Sequence, residues 1–300
     1  MLKELFVSMR PKQWYKNFII FVAIVFSFNL LEFYLWFEVV LAFVVFCMLS
    51  GVSYLVNDII DRDRDRLHPK KMHRPIASGK LNVSYAKIAV FLFLFLSLVL
   101  SYYVNLLFFF VAFSFILLNL SYTFYLKRFV LVDVLAIASG FVIRAIAGAV
   151  AVNVDISPWL VICVFLLALF LGLGKRRHEL VLMGVDSKSH RAILENYTRY
   201  MLDQMISVVT GALIISYMFY TFMAADRLIM VTIPVVIYAL FRYLFLVNLK
   251  DAGGEPQMIF RDGGMVVSLV VWAFLVVVIL YKVPEVFLDF FRVSLPAFFS

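Results

Sequence analysis

Long apolar runs separated by short polar, basic stretches dominate this chain of 300 residues. A helix needs about 20 mostly apolar residues to cross the hydrocarbon of a bilayer. Nine stretches qualify, at roughly 18–36, 38–57, 85–103, 105–126, 129–152, 157–174, 204–225, 228–248 and 265–283. Runs such as Phe91-Leu92-Phe93-Leu94-Phe95-Leu96 are apolar on both faces, which excludes the alternation of a membrane β-barrel. The pattern predicts an all-α, polytopic membrane protein with about nine transmembrane helices in a single domain over 1–300. Residues 1–16, with Leu5, Phe6 and Trp14 set among Lys3, Arg10, Lys12 and Lys16, read as an interfacial segment. They do not read as a cleavable signal peptide, because cations interrupt them and no small-residue cleavage site follows.

Composition agrees. The chain is 65% hydrophobic and 15% charged, with a mean hydropathy of +1.00, where soluble domains run at about 45–50% apolar and about 25% charged. Cys47 and Cys163 lie inside apolar stretches and are expected to be small buried hydrophobes. Basic residues set the orientation: 22 of the 27 lysines and arginines fall on one side, in residues 1–16 and the loops 58–87, 127–128, 175–203 and 249–264. Only Arg227, Lys282 and Arg292 fall on the other, while Arg144 and Arg242 lie inside spans. This bias predicts a cytoplasmic N-terminus and cytoplasmic long loops, with the C-terminus outside, in a cell's inner (plasma) membrane. The net charge of +8 is thereby explained by topology and a candidate anion site, with no need for nucleic acid.

The informative polar residues stand where the second span ends. On a helix advancing about 100° per residue, Asn57, Asp61, Asp65 and Asp58 fall at about 0°, 40°, 80° and 100°, on one face, while Asp63 points elsewhere. Carboxylates stacked this way repel, and more so beside hydrocarbon, so a cation must offset them. A solvated helix end neutralised by Arg62, Arg64 and Arg66 is the plain explanation. The functional one is a Mg²⁺ site on Asp58, Asp61 and Asp65 that holds a phosphate substrate. The following loop, His68 to Gly79, is too rich in Pro, Gly and charge to stay helical and can fold back over the carboxylates. Its Arg74 is a candidate anion ligand, and His68 and His73 are expected to be hydrogen-bonding residues, since no zinc-ligand spacing exists.

A second cluster, Lys175-Arg176-Arg177-His178-Glu179, follows the sixth span. Three successive cations point in three directions, so at most two reach one ligand; Lys175 and Arg176 are the phosphate candidates. Glu179 could fix one of them or join a metal shell. Within the fifth span, Asp133 and Arg144 return to within about 20° of one face, about 16 Å apart along the axis. Asp133 could join the site, and Arg144 could meet an anionic lipid head or pair with a carboxylate. Gly140, Gly148 and the alanines near them are expected to allow close helix contact.

With Asn57-Asp58-x-x-Asp61-x-x-x-Asp65 in a chain of this topology, the sequence resembles the UbiA superfamily of intramembrane prenyltransferases. The resemblance implies a bundle of about nine helices around a central cavity open to the cytoplasm, with the loops 58–84 and 175–203 carrying the active site. Members that prenylate aromatic rings carry a second Asp-rich motif after the sixth span; here Lys175 to Glu179 stand in its place. That departure, with Arg10-Pro11-Lys12-Gln13-Trp14 and Arg74-Pro75-Ile76-Ala77-Ser78-Gly79, is similar to the family's decaprenyl-phosphate phosphoribosyltransferase branch. This implies Mg²⁺-dependent transfer of ribose 5-phosphate from phosphoribosyl pyrophosphate to a polyprenyl (decaprenyl) phosphate, feeding lipid-linked pentose donors for cell-wall polysaccharide. Lys12, Lys16, Arg74, Lys127, Lys175 and Arg176 would divide the phosphates, and Tyr122 and Asn57 would orient groups by hydrogen bonds. A UbiA-type transfer of a polyprenyl group from its diphosphate to a small acceptor is the competing expectation. A transporter is a weaker third, because no inverted repeat is visible.

Overall fold

The structure is a computed structural model and describes residues 1–69, 71–183, 196–224, 226–249 and 262–282. Lys70, Lys188, Arg191, Lys250, Arg261 and Arg292, counted above for orientation, lie outside the described residues, as do residues 184–195 of the 175–203 loop. Every regular element described is helical: α1 (Leu2–Ser8), α2 (Val22–Phe26), α3 (Phe33–Ile60), α4 (Arg62–Arg66), α5 (Val83–Val104), α6 (Leu106–Phe124), α7 (Val132–Ala151), α8 (Pro158–Met183), α9 (Arg199–Met223), α10 (Ile233–Leu249) and α11 (Gly263–Leu280), with short 3₁₀ turns between some of them. Polar caps mark several starts. Asn82, Asn105, Thr198 and Asp262 each accept a hydrogen bond from a backbone N–H in the first turn of α5, α6, α9 and α11.

Among the described residues, eight helical stretches are long and apolar enough to cross a membrane. The difference from nine lies at the start. Instead of one helix over 18–36, Pro11–Phe21 form a 3₁₀ segment that runs into the five-residue α2, and the chain then reverses at Phe28, whose φ is 62°. No Gly or Pro marks that reversal, so an average over the apolar residues on either side hides it. The side chains of Asn29 and Ser27 bond to each other across it at 3.0 Å. A 3₁₀ helix rises about 2.0 Å per residue against 1.5 Å for an α-helix, so the segment and α2 together reach roughly 30 Å, the hydrocarbon thickness.

The chain divides into two compact units, the first built on Met1–Ile156 and the second beginning at Ser157. In the first, α3 packs against α5, α6, α7 and the 3₁₀ segment. Val39, Phe46, Leu49, Phe108 and Phe115 are buried in that core. A Cβ on Gly148 would run into the carbonyl oxygen of Ile20, so α7 and the 3₁₀ segment touch backbone to backbone. Gly140 differs: its surroundings would accept a Cβ, and its carbonyl instead receives Arg144. A smaller core of Met9, Leu55, Ile76, Leu81 and Ala86 clamps the end of α1 and the loop before α5 onto α3. Phe91, Phe95 and Phe113 are exposed, as lipid-facing residues must be.

In the second unit α8 lies along α9, and α10 along α11. The Tyr217 and Thr232 hydroxyls are 2.6 Å apart, and Trp272 donates to the Tyr217 oxygen at 2.9 Å, tying α9, the turn before α10 and α11 together. Arg242 makes a two-pronged pair with Asp262 at 3.0 and 2.9 Å, which fixes the start of α11.

Candidate active site

Two buried carboxylates organise one end of the first unit. Asp58, in the last turn of α3, is 2% exposed, and Asp65, in α4, is 3% exposed. Between them α3 ends at Ile60, yet the 4-residue bonding pattern continues, from Asp61 N–H to the Asn57 carbonyl at 2.9 Å and from Asp65 N–H to the Asp61 carbonyl at 2.7 Å. The predicted common face therefore survives the break. Asp63 points away, exposed, and pairs with Arg66 at 3.6 Å.

Burying two carboxylates costs several kcal/mol each unless cations and hydrogen bonds compensate. The compensation comes from two separate segments, and a third supplies a cation to Asp61 beside them. Arg74 Nη1 donates to Asp58 Oδ1 at 3.0 Å and to Asp65 Oδ2 at 2.5 Å. Arg10 Nη2 donates to the same Asp58 Oδ1 at 2.5 Å, with its guanidinium 4.8 Å from the centre of the Tyr54 ring. Lys127 Nζ lies 3.4 Å from Asp61 Oδ2 and 3.5 Å from Asn57 Oδ1. The expected neighbours Arg62, Arg64 and Arg66 are not the offsetting groups found on Asp58, Asp61 and Asp65. Arg66 Nε instead donates to the Ala77 carbonyl at 3.0 Å, helping to fold the loop back. With Ile76 fully buried, that loop delivers Arg74 to the carboxylates, as its composition predicted.

Arg10 was quoted above only as part of the Arg10-Pro11-Lys12-Gln13-Trp14 motif and, unlike Lys12 and Lys16, was given no role in the site. The available signal was Pro11. A residue before proline is driven from the helical region, and Arg10 takes the left-handed conformation, φ 52° and ψ 63°, ending α1 and turning its side chain back toward α3. Lys12 is exposed, Lys16 is half-buried on the 3₁₀ segment, and Tyr122 is half-buried on α6. Asp133 is fully buried in the first turn of α7, where the helix dipole favours an acid. Arg144 is occupied deep in the unit: its Nε donates to Asn17 Oδ1 at 2.7 Å and its Nη1 to the Gly140 carbonyl at 2.8 Å, and the Phe115 and Phe141 rings flank it. Asn17 in turn donates to Cys47 Sγ at 3.2 Å. No carboxylate is among those contacts.

In the second unit the three successive cations diverge as expected. Arg177 is 1% exposed and is spent on structure: Asp203 Oδ1 at 2.5 Å, the Val247 carbonyl at 3.0 Å and Asn248 Oδ1 at 2.7 Å. Arg176 binds Glu179 Oε2 at 2.5 Å, and Lys175, half exposed, stands 4.0 Å from Glu179 Oε1. Glu179 is thus held by two cations.

Can the first cluster hold a divalent ion? Among the described residues no three Asp, Glu, His or Cys side chains already stand as a metal cage. Oxygens of Asp58 and Asp65 nevertheless converge on one positively charged nitrogen. The remaining donors, Asp61 and Asn57, are also oxygens, the ligand type that hard cations such as Mg²⁺ prefer. The residues fit the ion.

Residues 18–261 match the UbiA prenyltransferase family. The chain belongs to that family. It is 31% identical over 293 residues to a Corynebacterium glutamicum protein named decaprenyl-phosphate phosphoribosyltransferase, covering 92% of this chain and 86% of that one. A protein of the same name from Mycolicibacterium smegmatis is 33% identical over 76% of this chain and 72% of its own length. Among solved structures, a UbiA homolog from Archaeoglobus fulgidus bound to GPP and Mg²⁺ superposes with a TM-score of 0.70 at 20% identity, covering 91% of this chain and 96% of that one. The chain is a membrane transferase with the UbiA fold, and its multi-pass, integral character follows from the long apolar helices among its described residues.

Proposed function

We propose that this protein moves the 5-phosphoribosyl group of phosphoribosyl pyrophosphate onto the phosphate of a polyprenyl lipid, in a Mg²⁺-dependent reaction at the cytoplasmic face of the inner membrane. The observation that carries the proposal is the likeness, across nearly the whole chain, to relatives bearing the decaprenyl-phosphate phosphoribosyltransferase name. In the reaction the bond from ribose C1 to the pyrophosphate oxygen breaks, a bond from C1 to an oxygen of the lipid phosphate forms, and pyrophosphate leaves. The acceptor oxygen is already anionic, so no strong general base is needed.

The ion, when bound, neutralises charge developing on the leaving pyrophosphate. Asp58, Asp61 and Asp65 would hold it, with Asn57 as a further oxygen donor. Arg74, Lys127 and Arg10 give this end of the first unit the fixed positive charge that phosphates require. Lys12, Lys16, Lys175 and Arg176 are the further phosphate ligands in this account, and Tyr122 orients by hydrogen bonding. The product would serve as a lipid-linked pentose donor for cell-wall polysaccharide. With the basic residues cytoplasmic, the water-soluble donor has direct access.

Protein purified into lipid is expected to convert phosphoribosyl pyrophosphate and a polyprenyl phosphate into a phosphoribosyl lipid. A chelator should stop the conversion, and added Mg²⁺ should restore it. Full turnover in the chelator would remove the ion from the reaction.

A further inference from the structure

One oxygen of Asp58 receives both Arg10 and Arg74, and Arg74 also holds Asp65 through the same nitrogen. Both side chains come from outside α3 and α4: Arg10 from a left-handed turn before Pro11, Arg74 from a loop anchored by Ile76. Neither is sealed in. The Arg10 side chain is 28% exposed and that of Arg74 25%, while their carboxylate partners are 2% and 4% exposed. Each cation thus has a partly open side, whereas the carboxylates are enclosed by protein. A cationic nitrogen already sits where oxygens of Asp58 and Asp65 converge, so a divalent ion and these guanidiniums compete for the same oxygens.

We propose that Arg10 and Arg74 guard the ion's seat in the metal-free protein, and that entry of the ion releases them to grip the diphosphate that accompanies it. Ion and anion would then bind as a coupled pair: the ion alone must displace three charge-assisted hydrogen bonds made by two arginines, and the displaced cations regain partners only when an anion arrives. Linkage requires the coupling to act equally in both directions. Lys127 sits on Asp61 in the same manner, more loosely. The inference rests on the carboxylates being the ion's ligands, as in the proposed function, and it assigns to Arg10 a site role that the sequence did not single out.

The test measures Mn²⁺ binding by electron paramagnetic resonance and inorganic pyrophosphate binding by calorimetry, on the full chain in nanodiscs of neutral lipid. A charge-assisted hydrogen bond is worth roughly one to two factors of ten in an equilibrium constant. Arg74→Gln is therefore expected to bind Mn²⁺ about tenfold more tightly than the parent protein when no anion is present. At saturating Mn²⁺ the same variant should bind pyrophosphate about tenfold more weakly. Arg74→Lys, which keeps a competing charge, should stay within about threefold of the parent for the ion.

Opposite changes of this kind distinguish a guard from a merely structural arginine, whose loss would weaken both affinities. Unchanged or weaker Mn²⁺ binding in Arg74→Gln overturns the inference. If that variant does not fold, Arg10→Gln, which reaches Asp58 from another segment, decides by the same criterion. Asp58→Asn should abolish Mn²⁺ binding; should the parent protein bind no Mn²⁺ even with pyrophosphate, the metal site itself fails, which is a separate result.

Discussion

Asp58→Asn is expected to lower turnover about a thousandfold or more while leaving the shape of the side chain intact. Asp58 is where three lines of structure meet: it stands in the last turn of the membrane-embedded α3, it is almost fully buried, and it accepts both Arg10 and Arg74. An amide there removes one negative charge from the ion's seat, takes from Arg10 its carboxylate partner and leaves Arg74 with Asp65. Preorganised charge at a reacting centre is worth about 10²–10³ per group even for a neutral donor, and a metal ligand should exceed that. The comparison variant is Asp63→Asn, from the same acidic run but exposed and paired with Arg66 at 3.6 Å. It should stay within about twofold of the parent. Rates are compared per folded molecule, by lipid-extractable label over time. An Asp58→Asn protein retaining a tenth of the parent rate would displace this carboxylate from the chemistry.

The second large effect is on stability and concerns two neighbours on α8. Arg177→Met should destabilise the protein by about 2–3 kcal/mol, because it strips partners from the Val247 carbonyl, Asn248 and Asp203 at once. Removing one member of a fully buried ion pair costs about 3–5 kcal/mol. The smaller figure applies here because the Asp203 side chain is 42% exposed and water can take over part of its solvation. Lys175→Met should change stability by less than about 0.5 kcal/mol, since that lysine is half exposed and stands 4.0 Å from Glu179. Activity should respond the other way, with turnover lowered by Lys175→Met and, per folded molecule, little changed by Arg177→Met. Thermal unfolding in detergent, read beside the turnover assay, checks both. Equal midpoints for the two variants would mean that Arg177 does not hold α8, α9 and α10 together.

Much of this was legible in the sequence because a membrane makes simple demands. Apolar length gave the helices from α5 onward, and hydropathy failed only where an apolar stretch abandons the α-helix for a 3₁₀ segment and turns at Phe28 without Gly or Pro. The acidic face was legible too, since 57, 58, 61 and 65 share a helical face whether or not the helix breaks at Asp61. What periodicity could not supply was the far partner. Arg10 is 48 residues from Asp58 and Lys127 is 66 residues from Asp61, distances at which only the folded chain decides who meets whom. For the same reason the local arginines Arg62, Arg64 and Arg66 looked like the natural counter-charges. Arg144 looked like a lipid or carboxylate ligand because its partners, an amide and a backbone carbonyl, leave no charge signal in the sequence.

The central claim is that this chain transfers a phosphoribosyl group and keeps the prenyl chain on the acceptor. The most direct measurement gives the purified protein phosphoribosyl pyrophosphate carrying ¹⁴C in the ribose and ³²P in the β-phosphate, together with unlabelled polyprenyl phosphate and Mg²⁺. The account predicts ¹⁴C in the lipid extract and ³²P in free pyrophosphate, in equal molar amounts. No ¹⁴C in lipid, with the same protein instead transferring a prenyl group from a labelled prenyl diphosphate to a small acceptor, would contradict it.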